Sequence, residues 1–337
     1  MAANSMSDFE RYSKMGLRRL RGSRWIRELV AENRVSVDQM VQPLFVVDGI
    51  SRPEAVPGMT GVFRETPDSL LKQIENDLEK GVRKFILFGV PADKREKDFS
   101  ASFTANQISE IRKRFGKDLF LSVDVCLCSY TAHGHCGVIP PEGDHVDNEA
   151  SVQALADLAL SYAQAGADCV APSDMMDGRI GAIRTLLDQN KLYSTLVMSY
   201  SAKFHSKFYG PFRNAADSAP KSQSLKDRAT YQIDPSRMND AFLSSLRDSE
   251  EGADILMVKP GLPYLDVLAR LSDQIKKPWA VYEVSGEYAG VEVLAQNGLM
   301  SAPAAHLEAW TAFVRAGASI IITYGARNAK DYLSALS

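Results

Sequence analysis

No apolar run in this chain approaches the roughly 18 residues that a membrane-spanning helix needs; the longest, such as Ala318 to Tyr324, are the size of a strand. The first ten residues, Met1 to Glu10, lack the apolar stretch of a secretory signal. Met6 is a second candidate for the natural start, with Met1 to Ser5 as an added leader. Cysteine is scarce, four in 337 residues, and without an export signal such thiols are expected to stay reduced in a cytoplasm. An excess of one charge is missing too. Thirty-nine basic residues face 42 acidic ones, a net charge of −3, which argues against a chain that as a whole binds nucleic acid. No glycine-rich phosphate fingerprint follows the first predicted strand, so a dinucleotide-binding sheet is disfavoured. What is present is ordinary globular composition, 45% hydrophobic and 24% charged. The length suits two domains or one large α/β barrel.

Eight short apolar runs read as strands: Val41–Asp48, Lys84–Val90, Leu119–Leu127, Asp168–Asp174, Thr195–Ser201, Asp254–Lys259, Trp279–Ser285 and Ser319–Tyr324. They are continuous, not alternating, as parallel strands covered on both faces should be. Amphipathic segments lie between them. Ser151 to Ala165 carries Val152, Leu155, Leu158, Ala159 and Tyr162 on one stripe, with Asp157 and Gln164 off it. A junction recurs: Ala165-Gly-Ala-Asp168, Glu251-Gly-Ala-Asp254 and Ala316-Gly-Ala-Ser319 each precede a strand, and Lys80-Gly-Val-Arg83 is a looser copy. Each predicts a helix that ends on a left-handed glycine and turns at once into the sheet. Eight strands alternating with helices predict a (β/α)8 TIM barrel over residues 41–337. Residues 1–40 form an additional N-terminal arm with Arg18, Arg19, Arg21, Arg24 and Arg27, read as a solvated or subunit-contacting segment. The irregular stretch 205–231 after the fifth strand is too long for a simple turn and is expected to be an active-site lid.

Polar residues at the C-terminal ends of barrel strands are the catalytic candidates. Lys259 closes Ile255-Leu-Met-Val-Lys259, where burial should lower its pKa and leave a neutral amine able to form a Schiff base with a carbonyl. Lys203 should face the same mouth, and a second cation would depress either pKa further. Cys126 and Cys128, two apart on the third strand, should point to one side, and the loop holding His133 and His135 can return Cys136. Three thiolates suit zinc with a position left open for water or substrate, although three reduced buried thiols are the bland alternative. Cys169, inside an apolar strand, reads as core. Asp124 and Asp174 are candidates for general bases or for holding loops. Arg213 and Arg228, within the lid, could grip a carboxylate. Ser285 and Tyr324 could donate to a second one.

The runs Asp124-Val-Cys-Leu-Cys-Ser-Tyr-Thr-Ala-His-Gly-His-Cys-Gly137, Ala171-Pro-Ser-Asp-Met-Met-Asp-Gly-Arg179, Ser199-Tyr-Ser-Ala-Lys-Phe204, Tyr209-Gly-Pro-Phe-Arg213, Val258-Lys-Pro-Gly261 and Val284-Ser-Gly-Glu287 closely resemble the porphobilinogen synthase (5-aminolevulinate dehydratase) family. The likeness runs in order from about Val41 to Tyr324. It implies condensation of two 5-aminolevulinate molecules to porphobilinogen with loss of two waters, in tetrapyrrole synthesis. It further implies Schiff bases on Lys259 for the substrate that supplies the propionate side (P site) and on Lys203 for the one that supplies the acetate side (A site). By the same resemblance Arg213, Arg228 and Gln232 would bind the A-site carboxylate, and Ser285 and Tyr324 the P-site carboxylate. Asp124 and Ser173 would line the pocket, and Cys126, Cys128 and Cys136 match the ligands of the zinc-dependent branch. Members of the family assemble as homo-octamers through the N-terminal arm. Many bind an allosteric magnesium through a Glu on the helix before the Lys259 strand. Ser244 stands at that position, so this magnesium site is expected to be absent or weakened. Two readings compete. A Schiff-base aldolase leaves the second lysine and the thiols unexplained, and a zinc-binding scaffold barrel without turnover leaves the strand-end lysines and lid arginines unexplained.

Overall fold

The structure, a computed structural model, describes residues 17–141, 143–221 and 225–335. The chain divides into two compact units, Met1–Arg34 and Val35–Ser337. In the first, a 3-10 turn, Leu17–Arg21, precedes a short helix, Arg24–Leu29, which Ser23 caps through its hydroxyl at Ile26 N. Arg24 pairs with Glu28 at 2.5 Å, and Arg27 donates to the Arg21 carbonyl. Residues 1–16, and with them the proposed start at Met6, lie outside the described residues.

In the second unit eight parallel strands close on themselves: β1 (Met40–Val47), β2 (Lys84–Val90), β3 (Phe120–Val125), β4 (Cys169–Pro172), β5 (Leu196–Lys203), β6 (Ile255–Lys259), β7 (Trp279–Tyr282) and β8 (Ile320–Ile322). Each pairs with its sequence neighbour, and β8 returns to β1 with Ile321 opposite Met40 and Ile322 opposite Val41. The helices α1 (Pro67–Glu79), α2 (Ser102–Phe115), α3 (Asn148–Gln164), α4 (Arg179–Gln189), α5 (Met238–Glu250), α6 (Leu265–Gln274) and α7 (Ala302–Arg315) each lie between two successive strands, and α8 (Ala329–Ala335) follows β8. This is the TIM barrel expected from the sequence. Two minor strands, Glu54–Ala55 and Phe63–Glu65, form a hairpin whose second strand adds to β1. Among the described residues no helix is long and apolar enough to cross a membrane.

Alternation along each strand divides the apolar residues into two layers. Val41, Phe45, Ile86, Phe88, Cys169, Ala171, Met198, Met257, Tyr282 and Ile322 fill the barrel interior. Leu44, Val46, Phe85, Leu87, Val123, Val170, Leu256 and Val281 face the helices. Cys169 is therefore core. In α3, Leu155, Leu158, Ala159 and Tyr162 of the stripe read from the sequence are buried, and Val152 is half-buried. The glycine junctions also take the expected form: Gly81, Gly166, Gly252 and Gly317 have φ of 91°, 110°, 104° and 106°, values that disfavour any side chain. The aspartates that follow close the ladder. Asp168 accepts from Leu121 N and Asp254 from Val197 N, both at 2.8 Å.

Most strands end earlier than their apolar runs. β3 stops at Val125 because Leu127 accepts from the backbone of Tyr130 and Thr131, a local turn that takes the chain out of the sheet. β7 stops at Tyr282, and Ser285, expected on the strand, begins the helix Ser285–Gln296. β5 runs the other way, two residues beyond its expected end, to Lys203.

Behind β7 and β8 lies a buried polar cluster. Glu283 accepts from His306 Nδ1 (2.9 Å), Trp310 Nε1 (2.9 Å) and Thr323 Oγ1 (2.6 Å), and His306 Nε2 meets Glu292 at 3.2 Å. Burial opposes a charge on His306, but the two glutamates outweigh it and hold its pKa above the ordinary 6.5. A raised histidine pKa contributes stability that is complete below the unfolded value and is lost as pH rises through the folded one. The loss of thermal stability in His306→Gln is therefore expected to be largest below about pH 6.5 and to narrow as pH rises past it. Melting curves across that range provide the check.

Candidate active site

The strand ends bring the two lysines together, and a register shift makes this possible. Strict alternation after Met198 and Tyr200 would turn Ala202 into the barrel and Lys203 out of it. Between Ser199 and Ala202, however, the pairing of β5 with β6 slips by one residue. Ser199 donates to Asp248 Oδ2 (2.6 Å) and Ser201 meets Ser245 Oγ (2.9 Å), so both serines face α5. Ala202 then joins the helix-facing layer beside Val258, and Lys203 lies directly opposite Lys259 in the ladder. Adjacent strands are about 4.8 Å apart, so the two amines leave the sheet as immediate neighbours. Both residues are buried.

Four aromatic rings surround the Lys259 amine. Its Nζ lies 4.0 Å from the Tyr282 ring centroid, 4.9 Å from Tyr200, 5.0 Å from Phe212 and 5.5 Å from Tyr209. Burial, and then the Lys203 charge, lowers its pKa from 10.5 to about 7. The Lys203 amine donates to the Ser173 carbonyl and lies 5.7 Å from the Tyr200 ring. Asp124 shares a cleft with both lysines and Cys128. Burial raises its carboxyl pKa to about 6, against the pull of both lysines and a Ser173 hydrogen bond. Its Oδ1 is buried without a hydrogen-bond partner. Asp174 points elsewhere: it accepts from Met176 N at 2.7 Å and lies 3.4 Å from the buried guanidinium of Arg179. Of the two readings open for it, loop support is the one the contacts favour.

Cys126, Cys128 and Cys136 are buried, with all three sulfurs within 4.8 Å of one another. Cys126 and Cys128 converge although neither lies on β3, as the strand-based argument required. The turn after Val125 brings their sulfurs to 3.3 Å. Thiol hydrogen bonds from Cys126 and Cys128, with Arg228 nearby, hold Cys136 well below the ordinary thiol pKa, whereas burial pushes Cys126 up. The donor set fits a thiophilic metal such as zinc. His135 is not part of it. Its Nδ1 meets Tyr231 Oη at 3.1 Å and its Nε2 the Leu225 carbonyl at 2.9 Å.

The stretch after β5 is less irregular than expected. Lys207–Tyr209 is a 3-10 turn and Gly210–Ala215 a short helix; residues 222–224 lie outside the described residues. One cleft is lined by Asp124, Cys128, Ser173, Lys203 and Lys259 from the barrel and by Tyr209, Phe212, Arg213 and Arg228 from this segment. Arg228 is buried, and its Nη2 donates to the Gly134 (3.0 Å) and Ser218 (2.6 Å) carbonyls. Burial works against its charge, yet the thiols and Tyr231 hold its pKa above the ordinary value. The Nε atoms of Arg213 and Arg228 and both amide atoms of Gln232 are buried without partners.

Gln232, Ser285 and Tyr324 do not belong to that lining. The Ser285 hydroxyl accepts from Phe212 N (3.0 Å) and donates to the Phe208 carbonyl (3.2 Å), so it seats the covering segment. Tyr324 accepts from Tyr282 Oη at 3.1 Å. Ser244 lies on α5 beside Arg247, whose Nη2 donates to it at 3.3 Å. Sequence reasoning missed the aromatic enclosure of Tyr200, Tyr209, Phe212 and Tyr282. The signal was present for the strand residues: Tyr282 shares the inward parity of Ala280, and Tyr200 that of Met198.

A model of the family described as delta-aminolevulinic acid dehydratase matches residues 14–332. The delta-aminolevulinic acid dehydratase of Bacillus subtilis is 40% identical over 321 residues, covering 94% of this chain and 97% of its own. That of Methanothermus sociabilis is 42% identical over 316 residues, covering 93% and 96%. Among solved structures, the delta-aminolevulinic acid dehydratase of Toxoplasma gondii in complex with its reaction product porphobilinogen is similar, with a TM-score of 0.90 and 40% identity. That match covers 94% of this chain and 91% of the other.

The lowered Lys259 pKa has a consequence for stability. Below about pH 7 the buried amine is charged in both folded and unfolded chains and destabilises the fold in full. That penalty fades as pH rises toward the ordinary 10.5. Lys259→Met is expected to raise Tm most at about pH 7 and below, with the gain vanishing near pH 10. A gain that is independent of pH in paired melting curves would contradict the shift.

Proposed function

The chain belongs to the delta-aminolevulinic acid dehydratase family, and from that premise we propose how its barrel mouth carries out the family's reaction. The chain is a lyase that condenses two 5-aminolevulinate molecules to porphobilinogen with loss of two waters. The observation that carries the proposal is the pair of buried amines in register on β5 and β6, one of them held near neutrality.

Lys259 attacks the ketone of the P-site substrate as the free amine. A bond forms from Nζ to the carbonyl carbon, the carbonyl oxygen takes up one proton from the attacking nitrogen and a second from a nearby acid, and it leaves as water, giving an iminium. The ring faces of Tyr282, Tyr200 and Phe212 attract that cation, each by about 0.5–2 kcal/mol. They thus favour the product of the step while keeping water from hydrolysing it. Lys203 captures the A-site ketone in the same way, beside Ser173. Asp124, with a pKa of about 6 and a free oxygen, is placed to accept and return protons close to both amines.

The unpartnered nitrogens of Arg213 and Arg228 and the amide of Gln232 suit the A-site carboxylate. Ser285 and Tyr324 are assigned to the P-site carboxylate. Cys126, Cys128 and Cys136 would hold a zinc ion, which when bound supplies Lewis-acid polarisation of a substrate oxygen or amine. The proposal also takes residues 1–40 as an arm for assembly into a homo-octamer, residues 205–231 as a lid, and the cytoplasm as the location. It assigns no allosteric magnesium, because Ser244 offers a hydroxyl where a carboxylate would be needed.

Borohydride added with 5-aminolevulinate is expected to leave reduced adducts on Lys259 and, in the full complex, on Lys203, as read by peptide mass spectrometry. Adducts on neither lysine would remove the mechanism. Lys259→Ala is expected to bring turnover to background with the fold retained; wild-type turnover in that variant contradicts the nucleophile assignment. Chelation is expected to abolish activity and zinc to restore it, whereas full activity in metal-free protein would refute a catalytic zinc.

A further inference from the structure

Glu287 is a buried carboxylate that the mechanism does not use, 6% exposed. It lies in the first turn of the helix Ser285–Gln296 and accepts three backbone N–H groups. One comes from its own turn, Val284 N at 2.7 Å. The other two come from the loop leaving β6, Gly261 N at 3.1 Å and Leu262 N at 2.5 Å. Lys259 is the last residue of β6, two positions before Gly261. The carboxylate therefore ties the segment that carries the nucleophile to the turn that carries Ser285.

The same turn is the seat of the lid. Ser285 holds the Phe208 carbonyl and the Phe212 N–H through its hydroxyl. Gly286 packs so closely that a Cβ there would lie 2.6 Å from the Phe208 carbonyl oxygen. Phe212, thus held, places its ring 5.0 Å from the Lys259 amine. Gly261 is equally confined, since a Cβ would lie 2.6 Å from the Phe313 ring and 3.2 Å from the Tyr282 carbonyl. Three consecutive residues, Ser285, Gly286 and Glu287, thus touch the lid on one side and the Lys259 loop on the other.

We propose that Glu287 is a positioning residue that couples lid seating to the placement of Lys259, so that the amine is aligned for the P-site ketone when the lid closes. Both of its oxygens accept N–H bonds, Oε1 from Leu262 and Oε2 from Gly261 and Val284. A glutamine must therefore set an NH2 group against at least one backbone donor. The inference rests on the Schiff-base reading of Lys259, and its tests separate the two.

At saturating 5-aminolevulinate, Glu287→Gln is expected to slow borohydride trapping on Lys259, and kcat with it, by up to about a hundredfold, the loss that a misplacement near 1 Å can cause. Trapping on Lys203 should fall much less. Glu292→Gln, on the same helix but against His306, is expected to lower Tm and leave trapping unchanged, which removes loss of stability as the cause. Equal trapping on Lys259 in wild type and Glu287→Gln overturns the proposal. Amide hydrogen exchange reads the tie itself without any reaction. Gly261 and Leu262 are expected to exchange faster in Glu287→Gln, and unchanged exchange overturns the tie even if wild-type protein gives no adduct. Should Glu287→Gln fail to fold, Gly286→Ala takes its place, expected to unseat Phe208 and slow Lys259 trapping; trapping at the wild-type rate there also overturns the coupling.

Discussion

Two amines on neighbouring strands of a dry barrel mouth cannot both carry a full charge cheaply, and much of this site follows from that conflict. Coulomb repulsion between groups a few ångströms apart is strong where water is excluded. Burial penalises each ammonium separately. The protein resolves the conflict by keeping Lys259 near neutrality among four rings, with Asp124 close to both amines. Without the aromatic enclosure Lys259 would be hydrated and charged. Without the partner lysine its pKa would lie closer to the ordinary range.

The scaffold meets this demand through local backbone devices. The slip in β5 turns Lys203 inward, and Ser199 and Ser201 hold the slipped segment on α5. The turn after β3 brings two cysteine sulfurs together once the ladder has ended. At the end of β6 the chain is tied through Glu287 to the turn whose Ser285 holds Phe208 and Phe212. All of these lie toward the C-terminal ends of strands, where side chains converge from several strands.

The architecture was legible because it repeats. Four glycine junctions with positive φ and eight apolar runs give a barrel without reference to any one contact. The side chains that gather at the candidate site were legible where the residue type is costly in its surroundings, as with a lysine after four apolar residues or three cysteines within eleven positions. Strand ends were not, because Cys126 and Leu127 are as apolar as the strand before them and only the loss of ladder partners ends it. The inward turn of Lys203 was expected, but the register shift behind it has no signature in a single sequence. The aromatic enclosure escaped notice because a buried tyrosine in a strand reads as core. Only the closed barrel shows which core residues lie over an amine.

The central claim concerns the protonation of one nitrogen. Titration of the Lys259 side chain by NMR, in protein with isotopically labelled lysine and assigned through a Lys259→Met reference, measures it directly. The account predicts a midpoint near 7 that rises toward the ordinary lysine range when Lys203 is replaced by methionine. A midpoint near 10 in the unaltered protein would contradict it.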